Sequence, residues 1–144
     1  MTSQLHHSWR AIPVAKACSS FPVGFSLLNH AGRQFVAFYD EEHRITVASR
    51  FLGSDAWTFA KPEGPWLPHR NRKASVVAFD AHNYLTLAVD SEGHLHLAGN
   101  MHSDPLIYFR TTKPLEIDSL VFVGRMTGDK ENEVTYPLFF RWPG

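Results

Sequence analysis

The sequence predicts an all-β protein assembled from β-propeller blades, on three observations. Apolar and polar residues alternate over short runs, no stretch sustains a helical period, and one hairpin pattern recurs at an offset of 50 residues. The composition agrees. Of 144 residues, 13% are aromatic, among them 11 Phe and 4 Trp, and such side chains fit pleated, half-buried surfaces.

Val23 to Leu28 (VGFSLL) reads as the first strand, ended by the turn residues Asn29-His30-Ala31-Gly32. Gln34 to Asp40 (QFVAFYD) and Arg44 to Arg50 (RITVASR) form a hairpin across the polar turn Glu41 to His43. Ala56 to Ala60 (AWTFA) follows as a fourth strand. The pattern stops at Lys61 to Lys73 (KPEGPWLPHRNRK), where three prolines and a group of basic residues mark a loop. A second set of strands occupies Ala81 to Asp90, Gly93 to Asn100, Pro105 to Arg110 and Ser119 to Gly124, and Val134 to Arg141 opens a further one.

The two sets match. Tyr39 to Arg50 (YDEEHRITVASR) lies over Val89 to Asn100 (VDSEGHLHLAGN), so that Asp40 meets Asp90, Glu42 meets Glu92, Ile45 meets Leu95 and Val47 meets Leu97. Phe59 meets Phe109 further on. A repeat of about 50 residues with three or four strands is the size of one propeller blade. Repeat units near residues 23–73 and 74–124, with a third starting near 134–144, amount to about two and a half to three blades. Propellers close with about 4–8 blades. The chain therefore reads as the N-terminal part of a propeller whose missing blades belong to a longer chain.

Composition excludes several functions. Fourteen basic and fourteen acidic residues give a formal charge of zero, so the basic surface that nucleic acid requires is not expected. No apolar run approaches the ~20 residues that span a bilayer, so no membrane segment is expected. The single cysteine, Cys18, allows neither an intramolecular disulfide nor a CxxC site and reads as a small, semi-buried side chain. The N-terminus, MTSQLHHSWR, lacks a basic start followed by an apolar stretch and so does not read as a signal peptide. Location is left open, with an extracellular or periplasmic one admitted for a longer parent. No cofactor is expected.

Histidine is abundant, with nine in the chain. His94 and His96 stand two apart on a strand and share one face, opposite Leu95 and Leu97. No third ligand is fixed by their spacing, so they read as a polar strand face or as histidines packed between blades, not as a metal site. His82 begins one strand and His102 follows the end of the next. In an antiparallel hairpin these ends lie side by side, with Asn83 and Asn100 close by. Two readings stand together. One is a polar site in which imidazole exchanges a proton near neutrality. The other is a turn held by side-chain to backbone hydrogen bonds. Arg110 and Arg125 are guanidinium groups able to grip a carboxylate, or ordinary surface charges. Trp57, Trp66 and Trp142 are candidates for stacking on a sugar, or core residues. The loop His69 to Lys73 reads as solvated, with anion binding as the alternative. Gly53 to Trp57 (GSDAW) carries a trace of an Asp-box turn without its full spacing.

The segment from His82 to Arg110, HNYLTLAVDSEGHLHLAGNMHSDPLIYFR, resembles the family described as BNR-repeat-containing proteins. VGFSLL, RQFVAFYDEEHRITVASR, Met126-Thr127-Gly128 and VTYPLFF extend the resemblance from about Val23 onward. It implies a seven-bladed propeller and, for some members, polysaccharide lyases acting on uronate polymers such as ulvan or rhamnose–glucuronate chains. The chemistry implied is β-elimination. A base removes the C5 proton, a cation or amide neutralises the carboxylate, and an acid protonates the departing O4. Carried onto this chain, His82 is the base or acid, His102 a second proton-transfer or substrate-binding group, and Asn83 a substrate ligand. Asn100 and Arg110 complete the expected substrate-binding set. The Tyr and Arg that the resemblance expects from later blades have no matching position here. The expected partner is a polysaccharide or oligosaccharide. A sugar-binding or inactive propeller is the non-enzymatic alternative, and a sialidase-like hydrolase would need an arginine cluster that this sequence does not show.

Overall fold

The computed structural model describes residues 10–20, 24–77 and 80–140. Two four-stranded antiparallel meanders dominate it. In the first, β1 (Ser26–His30), β2 (Arg33–Tyr39), β3 (Ile45–Phe51) and β4 (Thr58–Ala60) lie side by side in chain order. A two-stranded ribbon follows, β5 (Trp66–Leu67) with β6 (Arg72–Lys73), joined by a 3-10 turn at Pro68–Arg70. The second sheet repeats the first, with β7 (Leu85–Val89), β8 (Leu95–Gly99), β9 (Tyr108–Thr111) and β10 (Leu120–Phe122). These are two propeller blades. No helix among the described residues is long and apolar enough to cross a membrane.

Alternation along the strands explains the packing. In β2, Phe35, Ala37 and Tyr39 face the core shared by both sheets, whereas Val36 and Phe38 face a smaller cluster with Ala48, Val14 and Trp57. The shared core takes Ile45 and Val47 from the first blade and Leu85, Leu95, Leu97 and Phe109 from the second. Trp57 is therefore a packing residue, and the Arg50 guanidinium lies 5.1 Å from its ring centre. Trp66 is exposed, and Trp142 lies outside the described residues. Cys18 is half-buried and its N–H donates to the Tyr39 carbonyl at 2.8 Å.

The repeated turn has one geometry in both blades. Asp40 Oδ1 accepts the N–H groups of Glu42 (2.9 Å) and Arg44 (3.0 Å). Asp90 Oδ1 accepts those of Glu92 (3.0 Å) and His94 (2.8 Å). The last turn position needs a left-handed backbone, which Gly93 supplies at φ 86° and His43 at φ 62°.

Several segments differ from the sequence reading. β1 continues through Asn29 and His30, which the sequence assigns to the turn, while Val23 lies outside the described residues. The segment read as a loop from Lys61 to Lys73 holds the β5–β6 ribbon. Val134 makes one bridge, to Asp104, and the chain through Phe140 is otherwise irregular. Pro137 has no N–H to give a ladder, and Tyr136 has a positive φ of 53°. The basic loop is not uniformly solvated. Arg70 pairs with Asp104 and donates to the His102 carbonyl at 3.0 Å, while Lys73 pairs with Glu63 at 2.7 Å.

Candidate functional site

The β7–β8 register sets Leu85 opposite Gly99. The residues entering β7 and leaving β8 therefore meet at one end of the second blade. Asp80 opens this end. Its Oδ1 accepts the His82 N–H at 2.8 Å and lies 2.6 Å from His82 Nδ1. Its Oδ2 lies 2.7 Å from Nδ1 of His102. The two imidazoles stack with centroids 3.9 Å apart and planes 30° from parallel.

The backbone around the pair is fixed on every side. Asn83 donates through Nδ2 to the Asp80 carbonyl at 3.1 Å, and its own carbonyl accepts the Tyr39 hydroxyl at 2.9 Å. Burial pushes the Tyr39 phenol up, so it stays neutral and able to donate. Asn100, in a left-handed conformation at φ 65°, turns the chain at the end of β8. Its Nδ2 donates to the carbonyls of Ala74 (2.7 Å) and Val76 (2.9 Å). Met101 then enters the core, and His102 returns to Asp80.

Burial pushes the Asp80 carboxyl up, but hydrogen bonds from the His102 ring and from the main chain and ring of His82 outweigh it. The pKa falls to about 2. Asp80 is then a carboxylate and an acceptor only, so each Nδ1 facing it carries the hydrogen. This tautomer follows from the hydrogen-bond pattern. The side chains of His82, His102 and Asp80 are 40%, 39% and 25% exposed, so the cluster opens to solvent. Beside it stand two exposed phenols. The Tyr136 ring centre is 5.5 Å from that of His82 and 5.2 Å from that of Tyr84.

Of the residues singled out from sequence, the structure brings His82 and His102 together, with Asn83 and Asn100 behind them. Both amides are fully buried and turned to main-chain carbonyls. Arg110 is elsewhere. It is paired directly with His96 across β8 and β9, toward the Asp90 end of the blade. There its Nη2 binds Asp90 at 3.0 Å and approaches Glu92 at 3.6 Å, so two carboxylates engage the guanidinium. His96 joins this second cluster through Asp90 (3.0 Å) and the Tyr108 hydroxyl (2.6 Å), and His94 reaches the Thr111 carbonyl at 2.8 Å. Arg125 is exposed.

Sequence reasoning missed Asp80, Arg70 and Tyr136. The signal for Asp80 was its position two before His82, the spacing at which an aspartate accepts a backbone N–H in an Asx turn. Tyr136 had none, and Arg70 was read only within the basic loop His69 to Lys73, because both reach the site from distant loops.

Comparison by sequence with curated proteins finds no match. Among solved structures, the crystal structure of polysaccharide lyase Uly1 superposes with a TM-score of 0.64 at 13% identity, covering 96% of this chain and 37% of that one. At that identity the likeness concerns the fold, and the chain spans little more than a third of the length of Uly1. A family model described as "BNR repeat-containing family member" matches residues 33–144. That span runs from β2 through both blades and holds the Asp80–His82–His102 cluster, and with it the chain belongs to the BNR repeat-containing family.

Proposed function

We propose that the chain is part of a carbohydrate-active propeller that cleaves uronate-containing polysaccharides by β-elimination. The observation that carries this is the pair of stacked, solvent-open histidines oriented by one carboxylate. Elimination needs a base at C5 and an acid at the bridging O4 of one uronate, where the C4–O4 bond breaks. Two imidazoles, each with Nδ1 anchored and Nε2 free of that anchor, supply both in one place. Asp80 fixes the ring orientation and stabilises whichever imidazole becomes charged. Tyr84 and Tyr136 offer aromatic surface against which a sugar ring rests. Asn83 and Asn100 hold the two histidine-bearing segments from behind. The group that neutralises the substrate carboxylate comes, in this reading, from blades beyond these two, as does closure of the ring. The 37% coverage of a polysaccharide lyase supports the idea of further blades.

The test is the ultraviolet absorbance of unsaturated uronate ends on ulvan-like polymers. In the full-length parent, which supplies the further blades, His82→Ala is expected to abolish the rise, and Asp80→Asn to slow it by roughly 10–100-fold, the range for losing an orienting partner. Unchanged activity in His82→Ala would remove the assignment. Polymer binding without any unsaturated product would instead support a sugar-binding propeller.

A further inference from the structure

The three side chains that orient one another also converge as metal ligands. One atom from each of Asp80, His82 and His102 lies within 4.8 Å of the others, and the set opens to solvent. Both imidazoles turn the same nitrogen, Nδ1, to the same carboxylate, one on each oxygen. Three lone pairs can thus meet at one point once the two Nδ1 hydrogens leave. Metal–ligand bonds of about 2.0–2.2 Å set donors in a tetrahedral site about 3.3 Å apart. The His82 and His102 Nδ1 atoms stand 2.6 and 2.7 Å from different Asp80 oxygens, and three donors already within 4.8 Å of one another need adjusting by up to about 1.5 Å to reach that spacing.

We propose that Asp80, His82 and His102 form a three-ligand site for a divalent transition metal of the zinc type, with the fourth position open to water. Two imidazole nitrogens and one carboxylate oxygen suit zinc or cobalt, whereas calcium and magnesium take oxygen ligands. The ligand-bearing segments are held by their own hydrogen bonds. Asn83 holds the Asp80 carbonyl, the His82 N–H holds the carboxylate, and Arg70 holds the His102 carbonyl. Binding moves each imidazole hydrogen from Nδ1 to Nε2 and consumes the lone pairs that proton transfer requires. The metal therefore silences the site, a consequence that rests on the lyase reading, while metal binding itself does not.

The experiment is titration of chelator-treated protein with Co²⁺, followed by its visible absorption, and with Zn²⁺ by calorimetry. One equivalent is expected to bind and give the intense bands of low-coordinate cobalt. Asp80→Asn and His102→Gln are each expected to weaken binding by at least tenfold, with His30→Gln as an unaffected control. Near-ultraviolet circular dichroism establishes that the variants are folded. Absence of a saturable cobalt band in the wild type, or a band that survives both substitutions, overturns the proposal. A full-length parent without lyase activity that still binds one Co²⁺ through Asp80 upholds the metal site and removes only the lyase reading. Zn²⁺ inhibition reversed by a chelator upholds the silencing. Full activity with the site saturated overturns it.

Discussion

The side-chain amide of Asn100 has no exposed surface, and both of its donated hydrogen bonds go to main-chain carbonyls, those of Ala74 and Val76. Two carbonyl acceptors on one side fix which end of the amide is nitrogen. The residue also holds φ 65°, a conformation that asparagine tolerates better than most non-glycine residues. Asn100→Ala removes both donors, leaves two carbonyls short of partners and places a less tolerant residue in a left-handed turn. The expected loss is about 2–4 kcal/mol, from buried hydrogen bonds and backbone strain, read as a lower urea midpoint with an unchanged slope. Asn100→Asp keeps the backbone tolerance but sets oxygen against the carbonyls, so it is expected to lose at least as much. A change below about 0.5 kcal/mol in both variants, within the range of ordinary surface substitutions, would show that the amide does not hold this turn. His102 stands two residues further on, so the same variant should also disturb its contact with Asp80.

At the level of elements, each blade is organised by an aspartate that closes a turn and then reaches across the sheet. Asp40 Oδ2 meets the Thr46 hydroxyl at 3.0 Å and Lys61 at 2.7 Å, and Asp90 Oδ2 meets His96 and Arg110, each at 3.0 Å. Burial opposes ionisation in both, but hydrogen bonds from Lys61 and from His96 and Arg110 outweigh it, so both carboxyls sit below the usual range. Asp80 behaves likewise, at about 2 against an ordinary 3.8. A carboxyl depressed in the folded state contributes stability that is present above its unfolded pKa and is lost as pH falls through the folded one. Urea midpoints are therefore expected to drop steeply from about pH 4 toward pH 2, the window set by these carboxyls. Asp90→Asn is expected to lower stability at pH 7 and to flatten the acid slope, and an unaltered slope would exclude Asp90 as a contributor. The turns were legible in the sequence because their bonds are local, to N–H groups two and four residues ahead. The partners of Oδ2 were not, since they come from across the sheet. The meeting of His82 with His102 was legible because hairpin register alone produces it. Asp80 precedes β7 in irregular chain, and no periodicity announces it. The strand read at 134–141 failed because alternation of apolar residues says nothing of Pro137 or of the backbone at Tyr136.

Across the whole molecule, the two blades share one core and leave other faces open. The Leu87 N–H of β7 donates to Ser26 Oγ of β1 at 3.2 Å, and the first sheet also bonds the chain leading into the second, Tyr39 to the Asn83 carbonyl and the Ile45 N–H to the Ser75 carbonyl at 2.8 Å. Phe25, Leu27, Leu138 and Phe140 remain exposed on other surfaces. In repeat architectures stability divides into the intrinsic stability of each unit and the interface between neighbours. With Ile45 of the first blade and Leu97 of the second both fully buried in one cluster, the interface term should couple the blades into a single transition. Ile45→Ala and Leu97→Ala are each expected to lower stability by about 2–5 kcal/mol, the range for emptying a buried aliphatic site. The informative reading is from the opposite blade. Trp57 packs on the first sheet, so its fluorescence should follow a transition that Leu97→Ala shifts, at the same midpoint as far-ultraviolet circular dichroism. If Leu97→Ala splits unfolding into two steps and leaves the Trp57 step in place, the blades are independent units. Asp80, His82 and His102 would then be held by the second blade alone, without the Tyr39 bond from the first.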